Sequence, residues 1–331
     1  MKYGILFVFI FLAGCASPPT EPPAWVLDPQ STYPEAQYLT AVGVGDSRRA
    51  AENSAAAGLA RIFESRIQAV EILSETTTEK RGAIESFDQF SNLRTDVKIG
   101  SEQDLLNIQF GEAFTDKKGR VHAVATLPRA ETATVYQQRI GELSADIFLL
   151  IRLSDKAVDP VEKYAFRRAA VRKALENDRL LDQLHIINPR ARDTLSLHYD
   201  PQALYTQTAA AAHNVTFSVQ FSGDGVETIR EALTSMGFSE NAAAVLRFSG
   251  SASFKKTDLR RDPLMFVRYR YTLETRTHND RLVLTFNGNH REGHINFTEA
   301  AARARRALRT EIKRRIPQEV GDYLDRLASA E

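Results

Sequence analysis

The segment Tyr38-Leu-Thr-Ala-Val-Gly-Val-Gly45 decides the fold of the first half of the chain, because it is a short apolar run that ends in glycine. Such a run is typical of a strand, and Asp46 or Ser47 behind it can cap a helix. Between about residue 48 and residue 72, apolar side chains then recur at helical spacing: Ala55, Leu59, Ile62, Phe63 and Val70. The sequence therefore predicts a strand that leads directly into a long helix.

The remainder of the first half predicts a hairpin and two helices. Strands are expected at Leu93–Ile99, Leu105–Phe114 and Arg120–Leu127, and the last two are joined by a turn at Asp116–Gly119. Helices over about 128–152 and 159–184 follow and would pair as an αα-hairpin, whereas residues 185–213 show no regular pattern.

The pattern resets at Asn214. Strict alternation predicts a strand over 215–221, and a Gly-Asp-Gly turn leads into a helix that Gly237 would close. Further elements follow in the order strand, strand, strand, helix: Val245–Phe254, Met265–Thr275, Leu282–Asn287 and Thr298 to about Ala328, the last with an expected kink at Pro317.

Both halves therefore run strand, helix, three strands, helix. This order predicts an α+β fold of two modules, each with an antiparallel sheet and packed helices, joined by a helical hairpin. The expected division of the chain is an N-terminal leader, a short tether that begins at the lone cysteine, an N-terminal domain, a helical connector and a C-terminal domain: 1–14, 15–24, 25–152, 153–213 and 214–331.

Composition excludes several classes of protein. The 331 residues include 43 Lys+Arg and 42 Asp+Glu, and this balance argues against a nucleic-acid binder. The single cysteine cannot form an internal disulfide, and no Cys/His cluster is present for a structural zinc site. We therefore expect a globular protein with no nucleic-acid partner.

The lone cysteine stands at the end of a short apolar leader. Lys2 precedes an unbroken apolar stretch, Ile5–Ala13, which is too short to span a bilayer and is typical of a secretory signal. The ending Leu12-Ala-Gly-Cys15 is similar to the lipobox of bacterial lipoproteins, in which the cysteine receives a diacylglycerol and, after cleavage, an N-acyl chain. The alternative is an ordinary signal peptide with an incidental free cysteine.

A proline-rich segment follows the cysteine. Four prolines within residues 16–24 favour an extended tether that would hold the folded part about 30 Å from the lipid. Ala16, rather than Asp, follows Cys15, and under the enteric sorting rule that this resembles the protein would reach the outer membrane, anchored at its periplasmic face.

Residues 23 to about 127 resemble the twenty-kilodalton bacterial surface lipoprotein family (Lpp-twenty type), whose domains are related to those of flagellar assembly lipoproteins. The resemblance is carried by Pro23-Ala-Trp25, Tyr38, Ala41-Val-Gly43-Val-Gly45, the alanine-rich helix and the closing hairpin Val121–Leu127. It covers about a third of the chain. It implies an envelope lipoprotein with a binding or assembly role and no catalytic residues to carry over.

Two motifs suggest chemistry and have plainer explanations. Gly43-Val-Gly45-Asp-Ser-Arg48 begins like a dinucleotide fingerprint but lacks the third glycine, so Arg48 and Arg49 are candidate contacts for an anion at a capped helix start. His290 and His294 are weak candidates for a metal site, because their spacing matches no helical zinc motif; we expect them in an exposed loop, and we expect no metal or other cofactor beyond the lipid.

Basic residues concentrate on two predicted helices. Arg305, Arg306, Arg309 and Lys313 share one side of the last helix, and a second set crowds the hairpin: Arg167, Arg168, Arg172 and Lys173. A solvated helix face is the plain interpretation. The alternative is contact with anionic headgroups, peptidoglycan or an acidic partner.

No nucleophile elbow or phosphate loop is present in the sequence, and no pair of carboxylates stands out as catalytic. The sequence therefore predicts a non-enzymatic, lipid-anchored binding or assembly factor with an envelope protein partner. The alternative is a carrier lipoprotein that holds an apolar or anionic ligand between sheet and helices.

Overall fold

The computed structural model describes residues 21–75, 105–261 and 263–329. Cys15, the proline tether up to residue 20 and the predicted strand Leu93–Ile99 lie outside the described residues. The elements are α1 (Ala24–Leu27), α2 (Pro29–Thr32), β1 (Tyr38–Gly45), α3 (Arg48–Glu75), β2 (Gln109–Thr115), β3 (Val121–Pro128), α4 (Arg129–Lys156), α5 (Pro160–Ile187), α6 (Pro189–Asp193), α7 (Pro201–His213), β4 (Thr216–Ser222), α8 (Val226–Ser235), β5 (Ser239–Glu240), β6 (Leu246–Arg261), β7 (Leu264–Thr277), β8 (Leu282–His294) and α9 (Phe297–Ser329).

The described residues divide into two compact units, the first comprising those up to Ser65 and Leu105–Thr132 and the second comprising the rest. The α+β fold class predicted from the sequence is confirmed. Among the described helices, none is long and apolar enough to cross a membrane.

The first unit contains an antiparallel sheet with the strand order β1-β3-β2. In its central strand β3, buried and exposed side chains do not alternate regularly. Most of the strand is buried, because Ala123, Val124, Ala125 and Leu127 are fully enclosed. Trp25 is 6% exposed, and its helix α1 contacts β3.

The β2–β3 turn is built around Asp116, at the place that the sequence predicted. Its Oδ1 accepts hydrogen bonds from the backbone N–H groups of Lys118 and Arg120, both at 2.9 Å. The backbone N–H of Arg120, followed by the side chains of Arg120 and His122, holds the pKa of this carboxyl well below its usual range. Gly119 supplies the positive φ of +80° that closes the turn.

The second unit contains a five-stranded sheet with the order β5-β4-β6-β7-β8. The prediction of a wholly antiparallel sheet is wrong for this unit. Strand β4 pairs in parallel with both β5 and β6, and only the pairs β6–β7 and β7–β8 are antiparallel. The reason is topological: β4 and β6 are joined through α8, and a helical crossover brings successive strands into parallel alignment.

The core of this unit lies between one face of the sheet and the helices α5, α8 and α9. It is filled by aromatic and aliphatic side chains, among them Tyr164, Phe217, Phe238, Phe248, Tyr269, Tyr271 and Phe286. A second cluster, formed by α4, α5 and α7, encloses Ile147, Val171, Leu175, Leu204 and Tyr205. Residues 185–213, which showed no regular pattern in the sequence, form the two short helices α6 and α7, each capped by an Asn or Asp side chain ahead of a proline.

Candidate functional site

The glycine motif at the end of β1 serves packing. A Cβ atom on Gly43 would lie 2.2 Å from both the Ala51 carbonyl oxygen and the Ala55 amide nitrogen, so only glycine lets β1 approach α3 this closely. Neither Gly43 nor Gly45 has a positive φ, and close approach is therefore the reason for both glycines.

The first turn of α3 is capped and neutralised by its own residues. The Ser47 hydroxyl accepts a hydrogen bond from the Ala50 amide at 3.3 Å, and Arg48 Nε donates to Glu52 at 2.8 Å. Arg49 is exposed beside it. Of the two predicted anion contacts, Arg48 is therefore committed to an acidic neighbour on its own helix.

The basic side of α9 is held largely by acidic partners. Asp224, in the turn before α8, accepts from Arg305 at 2.8 Å and from Arg309 at 3.1 Å. Arg306 pairs with Glu299 at 2.5 Å, while Lys313 is exposed and has no ion-pair partner among the described residues. Three of the four predicted cations on this helix are therefore paired, and two of them link α9 to the turn before α8.

The basic residues of the helical hairpin are paired as well. Arg167 is 5% exposed and bonds Ser154, Asp155 and Gln207, which ties α4, α5 and α7 together. Asp325 on α9 accepts from both Arg168 and Arg172. Lys173 reaches Asp146 at 2.9 Å. These cations cross-link helices of one unit.

The expectation that His290 and His294 lie in a loop is wrong, because both belong to β8, opposite Tyr269 and Met265 of β7. Four residues along a strand span about 13 Å. The two rings also have different partners: His290 Nε2 lies 3.5 Å from Glu311, and His294 Nδ1 accepts from the Asn296 amide at 3.2 Å. In the part of the chain that the structure describes, no three potential metal ligands come together.

Glu311 on α9 is the centre of a polar cluster on the core face of the sheet, with 14% of its side chain exposed. Tyr269 donates to one carboxylate oxygen at 3.1 Å and Tyr271 to the other at 3.0 Å. Arg315 donates to the Tyr271 oxygen at 2.9 Å and to the Asn287 carbonyl at 2.8 Å. Both oxygens of Glu311 already have protein partners, so this cluster fastens α9 to β7 and β8.

The opposite face of the same sheet carries a set of basic residues that the sequence analysis did not single out. Lys255, Arg268 and Arg291 are direct neighbours across β6, β7 and β8, and Arg270 lies two residues further along β7. We call these four residues the cationic face. Their neighbours Val267 and Tyr269 point into the core, which directs Arg268 and Arg270 outward.

The cations of this face have no acidic partner within the described residues. Arg270 donates only to the Asn289 side chain at 3.4 Å, and no ion pair involves Lys255, Arg268 or Arg291. By contrast, Arg247 and Arg276 at the other end of the sheet are paired with Asp280 and Glu274. This set is not evident in the sequence, because its members come from three strands and become neighbours only through the pairing register of the sheet.

A cleft of about 780 Å³ lies where the α4–α5 turn meets the end of the sheet in the second unit. Its lining combines apolar side chains with Lys156, Asp159 and Glu162, and it includes Val158, which is 96% exposed. The inward aromatic side chains that a carrier would use around a ligand are instead packed together in the core.

The first unit is a small α+β domain in which glycines let β1 pack closely on α3 and the β2–β3 hairpin completes the sheet. Residues 23–128 match the family model described as LPP20 lipoprotein, which confirms the resemblance seen in the sequence. This match supports a lipoprotein function and points to no known enzyme.

The second comparison concerns whole chains. The secreted protein HP1454 from the human pathogen Helicobacter pylori aligns over 84% of this chain and 96% of its own, with 12% identity and a TM-score of 0.45. A likeness this low transfers neither fold nor function. Comparison with the curated proteins gives no match.

Proposed function

We propose that this protein is a non-enzymatic lipoprotein, anchored through Cys15 at the periplasmic face of the outer membrane, that acts as a binding or assembly factor in the cell envelope. The observation that carries the proposal is the order of three features: a lipobox at residues 12–15, a proline-rich tether and an LPP20-type domain from residue 23.

The chemistry of the anchor follows from the lipobox. The Cys15 thiolate takes the diacylglyceryl group of a phospholipid and displaces its phosphate headgroup, water hydrolyses the peptide bond before Cys15, and the new amine takes an acyl chain from a second phospholipid, which leaves as the lysophospholipid. Each buried CH₂ contributes about 0.8 kcal/mol, so several acyl chains on one residue hold a protein stably in a bilayer. Ala16 after the cysteine supports the outer membrane as the destination.

Anchoring also explains how such a protein works without catalysis. A tethered domain samples only the volume near one membrane surface, which raises its effective concentration toward other envelope components. The tether sets the reach, and exposed apolar side chains of the folded part offer contacts to a partner. Two of these, Phe148 and Leu149 on α4, are 44% and 57% exposed.

Site-specific photo-crosslinking in living cells tests the assembly function. A photoreactive residue at Leu149 is expected to capture a discrete envelope protein, while the same residue at the exposed Glu142 on the same helix serves as the matched position. Capture should fall strongly in the Cys15→Ser background, because the mutant protein is no longer confined to the membrane. An absence of any discrete product at Leu149 would argue against a protein partner.

The carrier hypothesis remains the second candidate, and the cleft of about 780 Å³ is the observation that favours it. Organic extraction of protein purified from its native envelope, followed by mass spectrometry, would reveal a stoichiometric small molecule. Its loss in Val158→Asp, which places a charge at the edge of the cleft, would assign the ligand to that cleft.

A further inference from the structure

The cationic face is electrostatically unfavourable in the isolated protein. Lys255, Arg268 and Arg291 lie directly opposite one another on adjacent strands, within about 10 Å. Like charges directly opposite on a sheet are destabilising, and acidic neighbours within the described residues do not offset them here. A surface arranged in this way is stabilised by an external anion.

The charge of the surrounding hairpin has the same sign. Residues 255–270 contain six basic residues and two acidic ones, Asp258 and Asp262, which leaves a net charge of +4. Glu292 lies beside Arg291 in sequence but belongs to the core face, opposite Val267. The charge complementarity therefore favours a negatively charged occupant.

Apolar side chains are exposed at the same end of the sheet. Leu264 and Met265 begin β7, and Ile295 and Phe297 follow the end of β8; their exposed fractions are 39%, 42%, 60% and 40%. Met265 pairs with His294, so the two pairs of residues are adjacent. We call these four residues the apolar tip. Lys256 lies over the Phe297 ring at 5.5 Å and places a further cation among them.

The apolar tip extends beyond the core of the unit. Val267 and Tyr269 on the same face of β7 are 1% and 3% exposed beneath the helices, whereas Met265 is exposed. Leu264 and Met265 pair with Arg261 and Arg260 of β6, so they lie near the end of a long hairpin. Apolar residues at the end of such a hairpin can enter the acyl region of a bilayer without any rearrangement of the fold.

We propose that the cationic face and the apolar tip together form a docking surface for an anionic lipid bilayer. Basic side chains next to exposed apolar ones are the combination that binds an interface, because the cations meet lipid phosphates while the apolar groups enter the acyl boundary. A polyanion such as a sugar polymer would satisfy the charges and leave the apolar tip in water. This inference does not rest on the acylation of Cys15.

Vesicle binding tests the docking surface without the lipid anchor. The protein is the chain from residue 15 onward with Cys15→Ser, and the probes are phosphatidylglycerol vesicles and neutral phosphatidylcholine vesicles. Sedimentation should show strong partitioning to the anionic vesicles only. The triple variant Lys255→Gln/Arg268→Gln/Arg291→Gln should weaken this partitioning on the order of 100-fold, since each cation near an anionic surface contributes about fivefold.

A matched variant removes the same number of charges elsewhere. Arg152, Lys163 and Arg326, on α4, α5 and the last turns of α9 in the same unit, are exposed and have no ion-pair partner within the described residues. Their simultaneous replacement by Gln should leave vesicle binding within about threefold of the parent, because distant charges are screened beyond about 10 Å in ordinary salt. Equal losses in both variants would overturn the proposal, since binding would then follow net charge alone.

The apolar contribution has its own pair of variants. Leu264→Ser/Ile295→Ser should weaken binding to anionic vesicles about tenfold, because two large apolar side chains no longer enter the interface. Val135→Ser/Leu282→Ser removes one exposed apolar side chain from α4 and one from the start of β8, at the opposite end of that strand from the apolar tip, and should have no effect. Thermal unfolding of every variant establishes that the fold is intact.

The proposal would also be overturned by no preference of the parent for anionic vesicles, by unchanged binding in the triple Gln variant, or by unchanged binding in Leu264→Ser/Ile295→Ser. Purified peptidoglycan sacculi provide the competing anionic surface. Binding to sacculi that depends on the cationic face, without binding to vesicles, would assign the face to a polyanion and contradict the membrane docking surface.

Discussion

At the scale of single residues, the first unit depends on a glycine that faces a helix. Gly43 belongs to the segment from which the fold was inferred, and its contact with the backbone of α3 explains why no side chain fits there. The backbone of a packed helix cannot move aside as the end of a flexible side chain can. Close packing of β1 on α3 therefore explains the glycines of this motif.

Gly43→Ala is expected to destabilise the first unit by about 1–3 kcal/mol, because the new methyl group overlaps the backbone of Ala51 and Ala55. Trp25, the only tryptophan of the chain, is buried in this unit, so its fluorescence during urea unfolding reports the change.

The matched control is Gly141→Ala in α4, where an added Cβ meets nothing within 4 Å. In a helix interior this exchange should stabilise by about 0.5–1 kcal/mol, which circular dichroism can follow. A Gly43→Ala protein as stable as the parent would show that β1 and α3 are not in close contact.

At the scale of elements, α9 is fastened to the sheet by the polar cluster around Glu311. Burial, followed by the hydrogen bond to Glu311, raises the pKa of Tyr271 to about 12. A raised pKa in the folded state means that the protonated phenol stabilises the fold below pH 10, and that this stabilisation is lost as the pH rises from about 10 to about 12.

Tyr271→Phe should therefore cost about 1 kcal/mol at neutral pH, because Glu311 and Arg315 each lose a partner. The difference between parent and variant should shrink between pH 10 and 12 in urea unfolding curves. The control is Tyr38→Phe, on β1 of the first unit. Between pH 10 and 12 this variant should lose as much stability as the parent protein does. A constant difference across that range would contradict the proposed titration of Tyr271.

The elements themselves were predictable where one periodicity dominated. Alternating apolar residues revealed β4 and β7, and apolar residues at helical spacing revealed α3 and α5 with ends within a few residues. The end of β8 was missed, because Asn287 to His294 is polar and contains two glycines. It is nevertheless a strand, because its backbone pairs with β7 as far as Met265, where the sheet extends beyond the core.

At the scale of the whole molecule, charge could be counted from the sequence but not placed. The clustered arginines of α5 and α9 stood out in the sequence, and in the structure they pair with Asp224, Glu299 and Asp325. Lys255, Arg268 and Arg291 have no ion-pair partner within the described residues, and they lie 13 and 23 residues apart in the chain. Only the strand register brings them together, and register depends on tertiary packing.

The two proposed membrane contacts differ in kind. The acyl chains of Cys15 would confine the chain to a membrane, while the cationic face and the apolar tip would bind reversibly and weaken with salt. The proposals of a lipid anchor and of a docking surface can be refuted independently of each other, because the vesicle experiment uses a chain that carries no acyl group.

Metabolic labelling with palmitate tests the anchor most directly. The parent protein and Cys15→Ser are expressed with the complete leader and tether, and label on each is measured after purification under denaturing conditions. Lipid anchoring predicts label on the parent and none on Cys15→Ser. Label retained on Cys15→Ser, or an unlabelled parent protein, would contradict a lipoprotein anchored at this cysteine.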